Sequence, residues 1–302
     1  MRGPENSLES NLIKQAQNDS RVVCKKGADF DPAYYLSIPN KFISDYLNIE
    51  QFDEENFEDS PYYENLTAED FVNMLIKSGH GAMLEHGTVY LYDTYDISAI
   101  GSWTNSLGYK YSKNKYSKVI TNDHMDIRDI YITTNLRVLI ENDWLDDLKY
   151  VCEPTEYHAK RVMVRFICDR GVSHEIVRHR VMSFAQESTR YCNYSKNKFG
   201  QELTFIEPTW EFPSSNIVNT RERFEAMLEE AEANYMELIT LGFKPQEARA
   251  VLPNALKTEI VVTGFIDDWK HFFELRCDNA AHPDIRKLAL DLQKQFTERN
   301  FI

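Results

Sequence analysis

No apolar run in this chain approaches the roughly 20 residues that a membrane-spanning helix needs. Its opening, MRGPENSLESNLIKQ, lacks the apolar stretch of a signal peptide, so a cytoplasmic location is expected. Cysteine is sparse: Cys24, Cys152, Cys168, Cys192 and Cys277 are widely scattered, odd in number and include no CxxC pair. That argues against a disulfide framework or a structural zinc site. Glycine (11) and proline (10) never gather into a linker, and there is no repeat or low-complexity tract. Neither GxGxxG nor GxxxxGK[ST] occurs, which removes the usual Rossmann and P-loop nucleotide sites. Positive charge is also short. Against 48 acids stand 34 Lys and Arg, for a net charge of -14. That excludes a general binder of nucleic acid or anionic membranes, which needs a basic face.

What remains is ordinary globular material, 42% hydrophobic and 13% aromatic over 302 residues, enough for a sizeable core. Residues 1–60 read as a polar flank ending in an acidic, aromatic run, and 61–302 as the folded domain. Thr67 is expected to cap a short helix with Phe71, Met74 and Leu75 on its apolar side and Gly79 as its stop. HGAMLEHGTVYLY reads as a turn feeding a strand. Residues 100–125, where lysines and aromatics interleave, read as an irregular exposed excursion. Asn135 is expected to cap a helix. RVMVRFICD (161–169) alternates Val162, Val164, Phe166 and Cys168 on one side, as a half-buried strand should. Ser173 is then expected to cap a short HEIVRHR helix. RERFEAMLEEAEANYMELITLG is the clearest helix, with Phe224, Met227, Leu228, Ala231, Tyr235 and Leu238 in one stripe and Gly242 closing it. A short helix begins at Pro245, TEIVVTGF reads as strand, DDWKHFFELR as a helix capped by Asp267, and HPDIRKLALDLQKQF as a final helix. Strands and helices mix without regular βαβ alternation. The expected class is α+β, a mixed sheet packed with helices.

Chemistry concentrates in residues 161–190, where six arginines face three acids, the reverse of the whole-chain balance. Guanidinium forks suit phosphate because they present paired donors at a fixed angle and keep their charge when desolvated. Individual arginines have a plainer reading as partners of Glu175 and Glu187. His174-Glu175 lacks the zinc-protease spacing: His179 is five residues on, turned by roughly 140° on a helix. No metal site is expected. Ser183 and Ser188 lack the GxSxG turn of a hydrolase nucleophile. Arg249 sits beside a helix end and an X-Pro turn, where a side chain can be aimed into a cleft. His271 and Arg276 share a helix whose buried side is Trp269, Phe272 and Phe273.

RHRVMSFAQESTRY resembles the signature of the flavin-dependent thymidylate synthases: Arg178-His179-Arg180, seven residues, Ser188, then Arg190-Tyr191. HGAMLEH (80–86), ARAVLP (248–253) and HFFELR (271–276) resemble three further blocks of that family, in the same order. The resemblance implies an α+β homotetramer with active sites between subunits. It would be a methyltransferase making dTMP from dUMP, with methylenetetrahydrofolate as one-carbon donor and FAD reduced by NADPH. By motif position, His80, Arg178, His179, Arg180, Gln186 and His271 would meet FAD. Glu175, Arg178, Gln186, Glu187, Ser188, Thr189, Arg190, Arg249 and Arg276 would line the dUMP site. Arg276 would be the catalytic residue, beside the uracil and helping to ionise its N3. The sequence departs from the family pattern at Ala82, Gln186, Phe265 and Asp267, and residues 87–160 read as a long insertion.

Overall fold

The computed structural model describes residues 68–98, 103–190, 192–195 and 202–302; the flank, Thr67, Cys24 and Tyr191 lie outside them. In chain order the elements are α1 (Ala68–Lys77), α2 (Gly81–Leu84), β1 (Thr88–Asp96), α3 (Leu107–Ser112), β2 (Lys118–His124), β3 (Ile127–Asn135) and α4 (Leu136–Glu141). Then come β4 (Arg161–Asp169), α5 (Arg170–Ile176), β5 (Ser183–Gln186), α6 (Thr220–Thr240), α7 (Pro245–Ala248), β6 (Lys257–Phe265), α8 (Ile266–Arg276) and α9 (Pro283–Glu298). The class is α+β, but the expected mixed sheet is instead two three-stranded sheets, ordered β1-β3-β2 and β4-β6-β5, with every pairing antiparallel.

The second sheet carries the main core. Alternation on β4 buries Val162, Val164, Phe166 and Cys168, and the register brings Thr258, Ile260, Val262 and Gly264 of β6 to the same face. That face packs against Trp269, Phe272 and Phe273 of α8 and Ile285, Ala289, Leu292 and Phe296 of α9. The indole of Trp269 donates to Val162 O at 3.1 Å, so its one polar group is satisfied inside the core. The first sheet has its own core: Val89, Leu91, Ile130 and Ile132 against Leu107, Tyr111, Leu136 and Leu139, with Val72, Leu75 and Leu84 beside them. A third cluster joins Tyr235 of α6 to Cys192, Tyr194, Leu203, Ala248 and Leu256.

A polar seam unites the two sheets. Arg161 donates to Thr88 Oγ1 and to Glu85 O, both at 3.0 Å, and His86 Nδ1 lies 2.8 Å from Thr263 Oγ1. His86 is fully buried, and burial with the nearby Arg161 cation lowers its pKa to about 3.

The helix stops follow the expected glycines. Gly79 and Gly242 have φ of 70° and 94°, which favours a residue without Cβ. Around each, the next two amides return to the last turn: Gly79 N to Ile76 O and His80 N to Leu75 O, Gly242 N to Ile239 O and Phe243 N to Leu238 O. Asn135 caps α4 through a bond from Val138 N.

Several expectations are corrected. Val72 and Leu75 face the core of α1, while Met74 is exposed. Within 100–125, Ser106 caps α3 by accepting from Tyr109 N, and β2 gains order by pairing with β3. The stripe on α6 is shallow, with Tyr235 buried and Met227 exposed. Asp268, not Asp267, takes the amide of Phe265 at the start of α8. Asp169, not Ser173, caps α5 by accepting from Val172 N at 2.7 Å. That helix therefore starts and ends four residues early, and Arg178–Arg180 leave the helical phase altogether.

Phe166 is 1% exposed and packs on Trp269 and Phe272. Phe166→Ala is expected to cost about 3–5 kcal/mol in denaturant unfolding; a loss below about 1 kcal/mol would contradict this core.

Candidate functional site

Two elements whose paired residues stand 101 positions apart meet at one cation. The early stop of α5 leaves His179 in a turn, its amide bonded to Ile176 O, while α8 ends at Arg276. Arg276 Nε donates to His179 Nε2 at 2.8 Å, its Nη2 donates to Glu175 O at 3.0 Å, and its Nη1 pairs with the Glu175 carboxylate. A guanidinium has five N–H donors, so two remain available to a ligand. Arg276 is held on its inner side and half-buried.

Because Arg276 Nε donates, His179 Nε2 must carry a lone pair, and the imidazole is neutral with its proton on Nδ1. Its environment enforces this: burial, then the Arg276 cation, then His271 lower its pKa to about 4. Phe272 meets the ring edge-to-face at 4.9 Å and His271 at 6.4 Å between centroids. His271 itself is exposed and shares Nδ1 with Glu274 at 3.3 Å. Arg178 and Arg180, in the same turn, are exposed and have no carboxylate partner among the described residues.

A second group follows β5. Gln186 donates to Ser173 Oγ at 2.8 Å and to Thr258 Oγ1 at 3.2 Å, tying the strand end to α5 two residues before Glu175. Beyond it the chain turns: Ser188 Oγ accepts from Arg190 N, and Cys192 N returns to Ser188 O. Arg249, at the end of α7, donates to Thr189 Oγ1 at 3.2 Å, so it does stand over this turn. Glu187 takes a bond from the Tyr194 hydroxyl at 3.3 Å; burial pushes its carboxyl up, with the Lys257 ammonium opposing.

The structure thus joins Glu175, His179, His271 and Arg276 in one group and Gln186 to Arg190 with Arg249 in another, linked through the Gln186–Ser173 bond. Among the described residues no hydrogen bond or ring contact joins His80 to either group. It follows the Gly79 turn as the first residue before α2. The reading of Glu175 as a partner of a nearby arginine is corrected: its partner is Arg276, 101 positions away. Two of the six clustered arginines serve the scaffold instead, Arg161 in the polar seam and Arg165 against Glu259. Phe272, Ser173 and Tyr194 are site residues that sequence reasoning missed. For Ser173 a signal existed: Asp169 at the strand end was already a better cap, which frees the serine hydroxyl. Among the described residues no three His, Cys, Asp or Glu side chains gather to hold a metal, and no helix is long and apolar enough to cross a membrane.

Residues 154–299 match the family model described as thymidylate synthase complementing protein. Curated proteins named flavin-dependent thymidylate synthase also match this chain. That of Pyrococcus furiosus is 34% identical over 138 residues, 45% of this chain and 53% of the relative. That of Geobacter sulfurreducens is 34% identical over 125 residues, 41% and 50% respectively. That of Mycobacterium marinum is 33% identical over 141 residues, 42% and 53%. The chain spans about half the length of the curated relatives it matches. Both residue groups lie inside the matched segment, and His80 lies outside it.

A folded-state imidazole pKa below the ordinary value means the unfolded chain takes the proton first. The contribution of His179 to stability is then fully present above pH 6.5 and declines as pH falls from 6.5 toward 4. An NMR titration is expected to give the His179 ring a midpoint of about 4. A midpoint at the ordinary imidazole value of about 6.5 would refute the neutral acceptor.

Proposed function

We propose that this protein is a flavin-dependent thymidylate synthase, a reading supported by the match of residues 154–299 to the thymidylate synthase complementing protein family model. It converts dUMP to dTMP, taking the one-carbon unit from methylenetetrahydrofolate, which leaves as tetrahydrofolate. The observation that carries this reading is the clamp on Arg276 by His179 and Glu175, with two guanidinium donors left for a ligand. Negative charge developing on a uracil ring is best met by a cation whose orientation is already fixed in a water-poor site.

The residues present fit a flavin dinucleotide. The exposed guanidiniums of Arg178 and Arg180 have no carboxylate partner among the described residues and suit a pyrophosphate. His271, His179 and Phe272 offer ring edges beside them. Held by these residues and reduced by NADPH, FAD would supply the two electrons that the change from methylene to methyl requires. The chain's own work is binding, orientation and charge. His179 stays neutral and holds Arg276 through Nε2. Glu175 fixes the other side of the same guanidinium. Arg276 then stabilises the anion formed when uracil N3 gives up its proton. The Ser188–Arg190 turn with Arg249 above it receives the nucleotide phosphate, Thr189 being bonded to Arg249 already. Glu187 lines the same pocket, and Gln186 sits between nucleotide and flavin. His80 approaches the flavin and folate in the homotetramer that the family resemblance implies, with active sites formed between subunits. The reaction belongs in the cytoplasm, where thymidylate is made for DNA.

Purified protein supplied with FAD, NADPH, dUMP and methylenetetrahydrofolate is expected to yield dTMP, and to yield none when any one is omitted. Arg276→Ala should lower turnover by about 10²–10³-fold while flavin absorbance survives. Wild-type turnover in that variant, or no dTMP from FAD-loaded wild type, contradicts the proposal.

A further inference from the structure

Between Asp96 and Asp123 the chain has no carboxylate and four lysines, Lys110, Lys113, Lys115 and Lys118, in a molecule of net charge -14. This is a second local reversal of charge, and the dUMP and flavin groups do not account for it. Its two ends are anchored. Lys110 pairs with Asp147 at 2.5 Å and lies over the Trp144 ring at 4.5 Å. Lys118, on the edge strand β2, pairs with Asp267 at 2.5 Å and lies over the Phe265 ring at 4.9 Å. Between the anchors, Lys113 and Lys115 are exposed and have no carboxylate partner among the described residues. Each lies against a tyrosine, Lys113 on Tyr109 at 4.7 Å and Lys115 on Tyr116 at 4.9 Å. A stem laid along a ring loses little further freedom when its ammonium meets an anion.

The lysine run leads to the site. Asp267 and His271 are four residues apart on α8 and share one side of the helix. The Lys118 end of β2 therefore borders the surface from which His271 reaches toward His179. Exposed Lys270 stands on the same helix, three residues after Asp267.

We propose that Lys113 and Lys115, with Lys118 and Lys270 at their inner end, bind the glutamate tail of the folate substrate as an oligo-γ-glutamyl polyanion. This rests on the synthase reading given above. The chemistry favours carboxylates strung along a flexible chain over a phosphate. The cations are single ammonium charges on mobile stems spread over a surface, not guanidinium forks converging on one point. The segment 110–118 within the stretch 87–160 then has a use: it extends the folate site outward with a second patch of positive charge.

The test compares KM for methylenetetrahydrofolate carrying one glutamate with KM for the same folate carrying several γ-linked glutamates, on the FAD-loaded enzyme. The long tail is expected to lower KM by about three- to tenfold at low salt, with kcat unchanged. The advantage should shrink as salt screens the lysines. In the Lys113→Gln, Lys115→Gln double variant it should fall to less than about half, Lys118 and Lys270 being left in place, with KM for the monoglutamate as in wild type. Equal KM values for the two folates in wild type overturn the proposal, and so does a double variant that keeps the preference. An absence of dTMP from both folates overturns the synthase reading itself, and the tail site with it.

Discussion

A guanidinium brought out of water must have its donors met by the protein, and the way Arg276 meets this requirement organises the site. One donor goes to a neutral imidazole, one to a backbone carbonyl and one to a carboxylate. The imidazole bond works only while His179 lacks its second proton, and burial beside Arg276 keeps it so. Cation and histidine thus fix each other: the charge prevents protonation, and the unprotonated ring orients the charge. Glu175 balances the pair without using up the guanidinium, since two donors stay available. Breaking one partner of such a clamp leaves a half-buried charge unmet, which is why its parts act together.

The scaffold exists to bring these partners together across a hundred residues. The β4-β6-β5 sheet supplies a rigid floor, and α8 is fixed to it by Trp269, Phe272 and Phe273. Phe272 belongs to both layers: it is 1% exposed within the core, and its edge meets the His179 ring. α5 leaves the same sheet from the other end of β4, capped by Asp169. Its early termination puts His179 in a turn where the ring can reach Arg276, which a continued helix would have carried around.

Local patterns were legible in the sequence where one local determinant had no rival, and misread where two competed, as with Asp169 over Ser173 and Asp268 over Asp267. The alternation of 161–169, the two glycine stops and the Asn135 cap each depend on a few neighbouring residues. The site residues could be gathered as candidates because their motif spacing resembles a family. Their pairing could not be read, since Arg276 and Glu175 are related only through the packing of α8 on the sheet. The same holds for residues 100–125. Read alone, they have no strand signal beyond Val119 and Ile120; β2 is ordered because β3 lies beside it and Lys118 reaches Asp267. Charge was informative at two scales. Against the acidic total, the two reversals, at 161–190 and 110–118, mark the segments we propose as anion sites.

In the proposed reaction Arg276, oriented by neutral His179 and Glu175, stabilises a uracil ring that has lost its N3 proton. The most direct measurement is the titration of N3 in dUMP labelled with ¹⁵N at that atom and bound to the FAD-loaded protein. N3 of the bound nucleotide is expected to lose its proton at lower pH than in free dUMP, and Arg276→Ala to remove the difference. A bound N3 that titrates as it does in free dUMP would contradict it.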